Sequence, residues 1–127
     1  MKIIGAGVDI VENSRIKKSI IKNSFLKRVF THKEILISKN MKNKSSYFAK
    51  RFAAKEAFVN SLGIGFRNGF NFKDISVVND KLGKPSFFMT NKIKNIIKKR
   101  FKINNYKFFL SISDEKKYSI AFVIFQK

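Results

Sequence analysis

Four ionisable side chains sit where an apolar core should not accept them. Asp9 interrupts residues 3–11 (IIGAGVDIV), a run with the composition of a buried strand, while Arg51, Lys55 and Glu56 fall within or beside the apolar sector of a helical pattern over 47–62. An ionised carboxylate in such a strand costs roughly several kcal/mol unless it is paired or bound to metal, so Asp9 needs a partner from elsewhere in the chain. Two arrangements satisfy that need. In one, Lys55 or Arg51 neutralises Asp9 or Glu56 in a buried ion pair. In the other, Asp9 and Glu56 share a magnesium ion, which takes one or two protein carboxylates and completes its octahedron with waters and substrate phosphates. Both require groups remote in sequence to meet.

The elements that must bring them together can be read from periodicity and turn residues. Residues 3–11 predict a strand buried on both sides, with Gly5 and Gly7 allowing close backbone approach. Asn13 or Ser14 can cap a helix with Ile16, Ile20 and Ile21 as its apolar stripe and Arg15, Lys17, Lys18 and Lys22 as a basic exterior. Thr31-His32-Lys33-Glu34 has the capping-box pattern and starts a short helix through Leu36. Ser45 or Ser46 starts the strongest helix, 47–62, with Phe48, Phe52, Val59 and Leu62 in one sector, Ala53, Ala54 and Ala57 opposite, and Gly63 as its C-terminal cap.

Beyond the glycine-punctuated loop of Gly63, Gly65 and Gly69, residues 75–79 and 86–89 read as strands joined by a hairpin-like connection. Residues 91–101 read as a helix with Ile93, Ile96 and Ile97 inward, and 106–113 and 118–125 as two strands around the turn Asp114-Glu115-Lys116. With no repeat, no linker and one proline, the expectation is a single α+β domain, 1–127: a long central helix packed on an antiparallel sheet.

Composition narrows the function less than the placed charges do. The absence of cysteine excludes disulfides and thiolate metal sites, and no apolar run approaches the roughly 18 residues that span a bilayer. A cytoplasmic chain with no membrane partner is expected. The net charge of +20 calls for an anionic partner and, with interleaved aromatics, supports an alternative reading as a basic nucleic-acid-binding protein. That reading leaves Asp9 and Glu56 unexplained. Phe66, Phe70, Phe72, Phe87, Phe88, Phe108 and Phe109 are assigned to core or subunit interface, and His32, in an exposed first turn, receives no catalytic role.

The same residues carry a resemblance. Gly5-Ala6-Gly7-Val8-Asp9-Ile10-Val11-Glu12, with Arg15-Ile16 after it, resembles the opening signature of the holo-acyl-carrier-protein synthases, the short trimeric group of the 4′-phosphopantetheinyl transferase superfamily. Arg51-Phe52-Ala53-Ala54-Lys55-Glu56-Ala57 is similar to that family's second signature. Phe30-Thr31 with Glu34, Asn79-Asp80 with Gly83-Lys84-Pro85, and Ser111-Ile112-Ser113-Asp114-Glu115 follow in order.

The resemblance implies an enzyme that transfers phosphopantetheine from coenzyme A to a serine of acyl carrier protein, in support of fatty acid biosynthesis. It implies magnesium held by Asp9 and Glu56, Lys55 as a catalytic residue close to the phosphates, and Glu56, or a water held by the metal beside it, as acceptor of the serine proton. Gly63, Gly65, Lys55, Gly83, Lys84 and Pro85 would bind coenzyme A. Arg15, Lys18 and Lys22 on the first helix would meet an acidic carrier protein, nucleic acid is not expected as a partner, and active sites would lie at the subunit boundaries of a homotrimer.

Four positions depart from the family pattern: Val8 and Ile64 stand where threonine is usual, Asn60 where lysine is usual, and Phe109 where histidine is usual. The loss of a cation at Asn60 and of a polar group at Phe109, expected near the site, predicts an active enzyme that binds coenzyme A more weakly than its relatives.

Overall fold

Described for residues 1–65 and 69–127 by a computed structural model, the structure leaves Phe66 outside the described residues. In chain order the elements are β1 (Ile3–Glu12), α1 (Asn13–Ser19), α2 (Asn23–Val29), α3 (His32–Ser38), α4 (Lys44–Leu62), β2 (Ile75–Asn79), β3 (Pro85–Met89), α5 (Asn91–Phe101), β4 (Lys107–Asp114) and β5 (Tyr118–Gln126). A 3-10 turn at Phe72–Asp74 precedes β2. β1, β5 and β4 form an antiparallel sheet in that order, and β2 and β3 form a separate antiparallel hairpin. The α+β class and the long central helix are as the sequence predicts.

β1 is not buried on both sides. Its alternation points Gly7 and Val11 inward, while Val8 and Ile10 are 55% and 60% exposed on the outer face. The apolar run thus reflects two different surfaces, one against α4 and one presented outward. Across that outer face the register aligns Ala6, Ile124 and Phe109 in one row, Val8, Phe122 and Ser111 in the next, and Ile10, Ile120 and Ser113 in the third.

On the inner face, β1 lies directly against α4. A Cβ at Gly7 would overlap the Ala57 carbonyl, and one at Gly5 the Ser61 carbonyl, so only glycine permits this approach. α4 is packed around most of its circumference: Ala49, Ala53, Ala54 and Ala57 are fully buried, and so is Phe58. The helix starts at Lys44 rather than at 47, capped by Asn43, whose side chain accepts from the Ser46 amide (3.0 Å). It ends at Gly63, whose φ of 69° is the left-handed C-cap conformation.

The first helical stretch is divided. α1 stops at Ser19, Ile21 lies 81% exposed in the link, and α2 follows, a helix that the periodicity did not mark. Asn13 does not cap α1: its amide donates to the carbonyls of Glu115 (3.0 Å) and Lys116 (3.1 Å), while its oxygen accepts from Ser119 (2.7 Å). It ties the start of α1 to the β4–β5 turn. α3 opens with the full Thr31–Glu34 capping box and runs beyond Leu36 to Ser38.

Candidate active site

Asp9 follows Gly5 and Gly7 on the inner face of β1, and the close approach of those glycines to Ser61 and Ala57 carries Asp9 alongside the middle of α4. There it lines a cleft of about 280 Å³ with Glu56, Arg15, Ser19, Phe25 and Phe52. The two carboxyl groups that sequence could only suggest are therefore brought together. Burial pushes the pKa of Asp9 up, and burial followed by repulsion from Asp9 does the same to Glu56. Among the described residues neither forms a salt bridge or a side-chain hydrogen bond.

Two desolvated, mutually repelling carboxylates without a cation paired to them among the described residues form a donor set suited to a divalent ion. The residues fit magnesium, which needs only one or two protein carboxylates. They do not fit structural zinc, since no cluster of three or more His, Cys, Asp or Glu occurs among the described residues.

Lys55 is placed differently from expectation. Its side chain is fully buried, and its ammonium donates to Glu34 Oε1 (2.6 Å), Val29 O (2.8 Å) and Phe72 O (3.1 Å). Those contacts engage all three of its protons. With its ammonium held in this way, Lys55 is not among the residues that line the Asp9–Glu56 cleft. The expected ion pair exists, but the partner is Glu34 rather than Asp9 or Glu56. Burial lowers the pKa of Lys55, and the Glu34 carboxylate opposes that shift. Sequence marked Glu34 as a capping residue and as part of a family segment; its pairing with Lys55 had no local signal.

One turn earlier, Arg51 lines a second cleft of about 330 Å³ with Tyr47, Asn79, Gly83, Pro85 and Asp114. Its guanidinium lies 3.7 Å from the centre of the Tyr47 ring, and Nη2 donates to Asn79 Oδ1 (2.8 Å). Asn79 in turn donates to the Gly83 carbonyl (3.0 Å). Among the described residues Arg51 Nε is buried without a hydrogen-bond partner. Lys84 sits in the adjoining turn, where its amide donates to Asp80 Oδ1 (2.9 Å). Gly63 and Gly65 line neither cleft.

The basic residues divide between two places. Arg15 faces the Asp9–Glu56 cleft, whereas Lys18 and Lys22 border an adjoining one of about 420 Å³ with Ser24, Phe25 and Arg28. Ser19 and Phe25 wall both. Arg28 lies on the helix that sequence reading missed. Of the four departures, Val8 and Phe109 lie on the outer sheet face, opposite Asp9, so Phe109 is not a group of this cleft. Asn60 donates to the Val8 carbonyl (3.2 Å), and Ile64 is buried in the core with Phe58 and Phe70. Phe72, Phe87 and Phe108 also pack into the core, while Phe88 and Phe109 are 63% and 47% exposed.

A holo-[acyl-carrier-protein] synthase from Pelagibacter ubique is 65% identical over 127 residues, covering 100% of this chain and 99% of its own length. The crystal structure of holo-[acyl-carrier-protein] synthase from Neisseria meningitidis superposes with a TM-score of 0.89 at 36% identity, covering 99% of this chain and 100% of that one. A holo-(acyl-carrier-protein) synthase from Bacillus anthracis, solved in complex with CoA, gives 0.81 at 32% identity, with 98% and 97% covered. The family profile described as the 4′-phosphopantetheinyl transferase superfamily matches residues 5–123, a span that includes Asp9, Glu56 and both clefts around them, and the chain belongs to that family.

Proposed function

We infer that this chain is a holo-[acyl-carrier-protein] synthase, transferring 4′-phosphopantetheine from coenzyme A to a serine of apo-acyl carrier protein and releasing adenosine 3′,5′-bisphosphate. The convergence of Asp9 and Glu56 in one cleft, neither of them paired among the described residues, carries the reading. Asp9 and Glu56 would hold magnesium, which when bound supplies polarisation of the pyrophosphate and stabilisation of the charge that develops on it.

The chain's own groups do the rest. The serine oxygen forms a bond to the β-phosphorus as the bond from that phosphorus to the bridging oxygen breaks, and the bisphosphate departs with the bridging oxygen. Glu56, or a water held beside it, takes the serine proton. Arg51, Asn79, Gly83 and Pro85 receive the nucleotide end, with Lys84 in the adjoining turn; Gly63 and Gly65, which line neither cleft, are left without a part in it. Arg15, Lys18 and Lys22 meet the acidic face of the carrier.

The chain acts as one domain, 1–127, in the cytoplasm and in fatty acid biosynthesis. It assembles as a homotrimer through its outer sheet face, where Val8, Ile10, Phe109, Ile120 and Phe122 are exposed. The family resemblance further implies active sites where subunits adjoin. Mass spectrometry of an apo-carrier protein incubated with the chain, coenzyme A and magnesium tests the activity. A shift by one phosphopantetheine is expected, with Asp9→Ala and Glu56→Ala each slowing it by about 10²-fold or more while remaining folded. Undiminished transfer by either variant contradicts the metal assignment.

A further inference from the structure

The Lys55–Glu34 pair is a buried charge pair that the transfer chemistry does not use. Glu34 receives more than the lysine: Oε1 also accepts from the Thr31 amide (2.9 Å) and Oε2 from the Val77 amide (2.9 Å). Lys55 meanwhile bonds the Val29 carbonyl at the end of α2 and the Phe72 carbonyl in the 3-10 turn. One pair therefore fastens α2, α3, the 3-10 turn and β2 to α4. Such pairs rarely add net stability over apolar groups of the same shape, so its value lies in direction rather than strength.

Its location supplies that value. Among the described residues β2 is held to this network at three points: the Val77 amide through Glu34, the Ser76 hydroxyl donating to Thr31 Oγ1 (3.1 Å), and the Asn79 side chain through Arg51, one turn before Lys55 on α4. Asn79 then holds the Gly83 carbonyl across the hairpin turn. An apolar contact alone would let the hairpin slide along α4, whereas charge-assisted hydrogen bonds fix its height.

We propose that Lys55 and Glu34 are positioning residues that lock the β2–β3 hairpin onto α4 and so preform the cleft of Arg51, Asn79, Gly83 and Pro85 for the nucleotide end of coenzyme A. This rests on the coenzyme A reading above. It is tested with Glu34→Gln combined with Lys55→Met, which removes both charges and leaves neither stranded, and with Glu34→Gln alone, which keeps the shape but turns an amide toward the Val77 N–H. Titration calorimetry with adenosine 3′,5′-bisphosphate probes the cleft, and steady-state kinetics separate KM from kcat.

Binding of the bisphosphate is expected to weaken about tenfold and KM for coenzyme A to rise in step, while kcat at saturating coenzyme A changes by less than about threefold. A folded variant with wild-type affinity and KM overturns the proposal. So does a fall in kcat at unchanged KM, which would return Lys55 to the chemical step. A wild-type chain that binds neither nucleotide would refute the coenzyme A reading instead, a distinguishable failure.

Discussion

At the scale of single residues, the carboxyl groups of Asp9 and Glu56 make a prediction in the absence of metal. Burial raises both pKa values, so between the ordinary carboxylate range and the raised values the native state binds more protons than the unfolded state. Stability then falls as pH rises through that window, and the deficit persists at neutral pH. Asp9→Asn is therefore expected to unfold at higher temperature than wild type in chelator at neutral pH, the difference vanishing towards about pH 3. Magnesium should raise the wild-type unfolding temperature and leave the variant unmoved; a variant less stable at neutral pH would contradict this sign. Asn60, one turn beyond Glu56, offers a second test. Asn60→Lys should tighten coenzyme A by up to about fivefold, the yield of an exposed ion pair, and equal affinities in calorimetry would remove any role for the missing cation.

At the scale of elements, the close contact of β1 with α4 is what places Asp9. Gly7→Ala puts a methyl group into the Ala57 carbonyl, so the strand must lift, at a cost of about 1–3 kcal/mol by denaturant titration and with transfer lost through separation of Asp9 from Glu56. A Gly7→Ala chain as stable and active as wild type would mean that the approach is not required. These glycines were legible in sequence because close backbone contact has few other causes in a strand. The long helix and its Gly63 cap were legible too, since apolar periodicity and a terminal glycine signal them locally. The division of α1 from α2 was not, because basic residues throughout 15–28 obscure any periodicity. Nor was the pairing of Lys55 with Glu34, which depends on where α3 lies against α4 and has no counterpart in local pattern. The network has its own energetic signature: Lys55→Met alone leaves a buried carboxylate without its cation and should cost about 3–5 kcal/mol, while adding Glu34→Gln should recover most of that. Equal losses in single and double variants would deny the coupling.

At the scale of the whole molecule, two surfaces should respond to salt in opposite directions. The outer face of β1, β5 and β4 exposes Val8, Ile10, Ile120, Phe122 and Phe109, an apolar field that the two departures at Val8 and Phe109 extend. Copies that meet there bury hydrocarbon but bring together chains of net charge +20, so repulsion opposes a contact whose own attraction is insensitive to salt. Screening weakens the repulsion, and self-association should tighten as ionic strength rises. Docking of an acidic carrier on Arg15, Lys18 and Lys22 is an attraction between opposite charges and should weaken over the same range. Sedimentation equilibrium and carrier titrations in a salt series separate the two. Phe122→Lys, placed at the middle row of the apolar face, is expected to yield a monomer and, if the sites depend on neighbouring subunits, to lose transfer with the assembly. An unchanged mass for that variant, or self-association that dissolves in salt, would place the subunit contact on the charged surface instead.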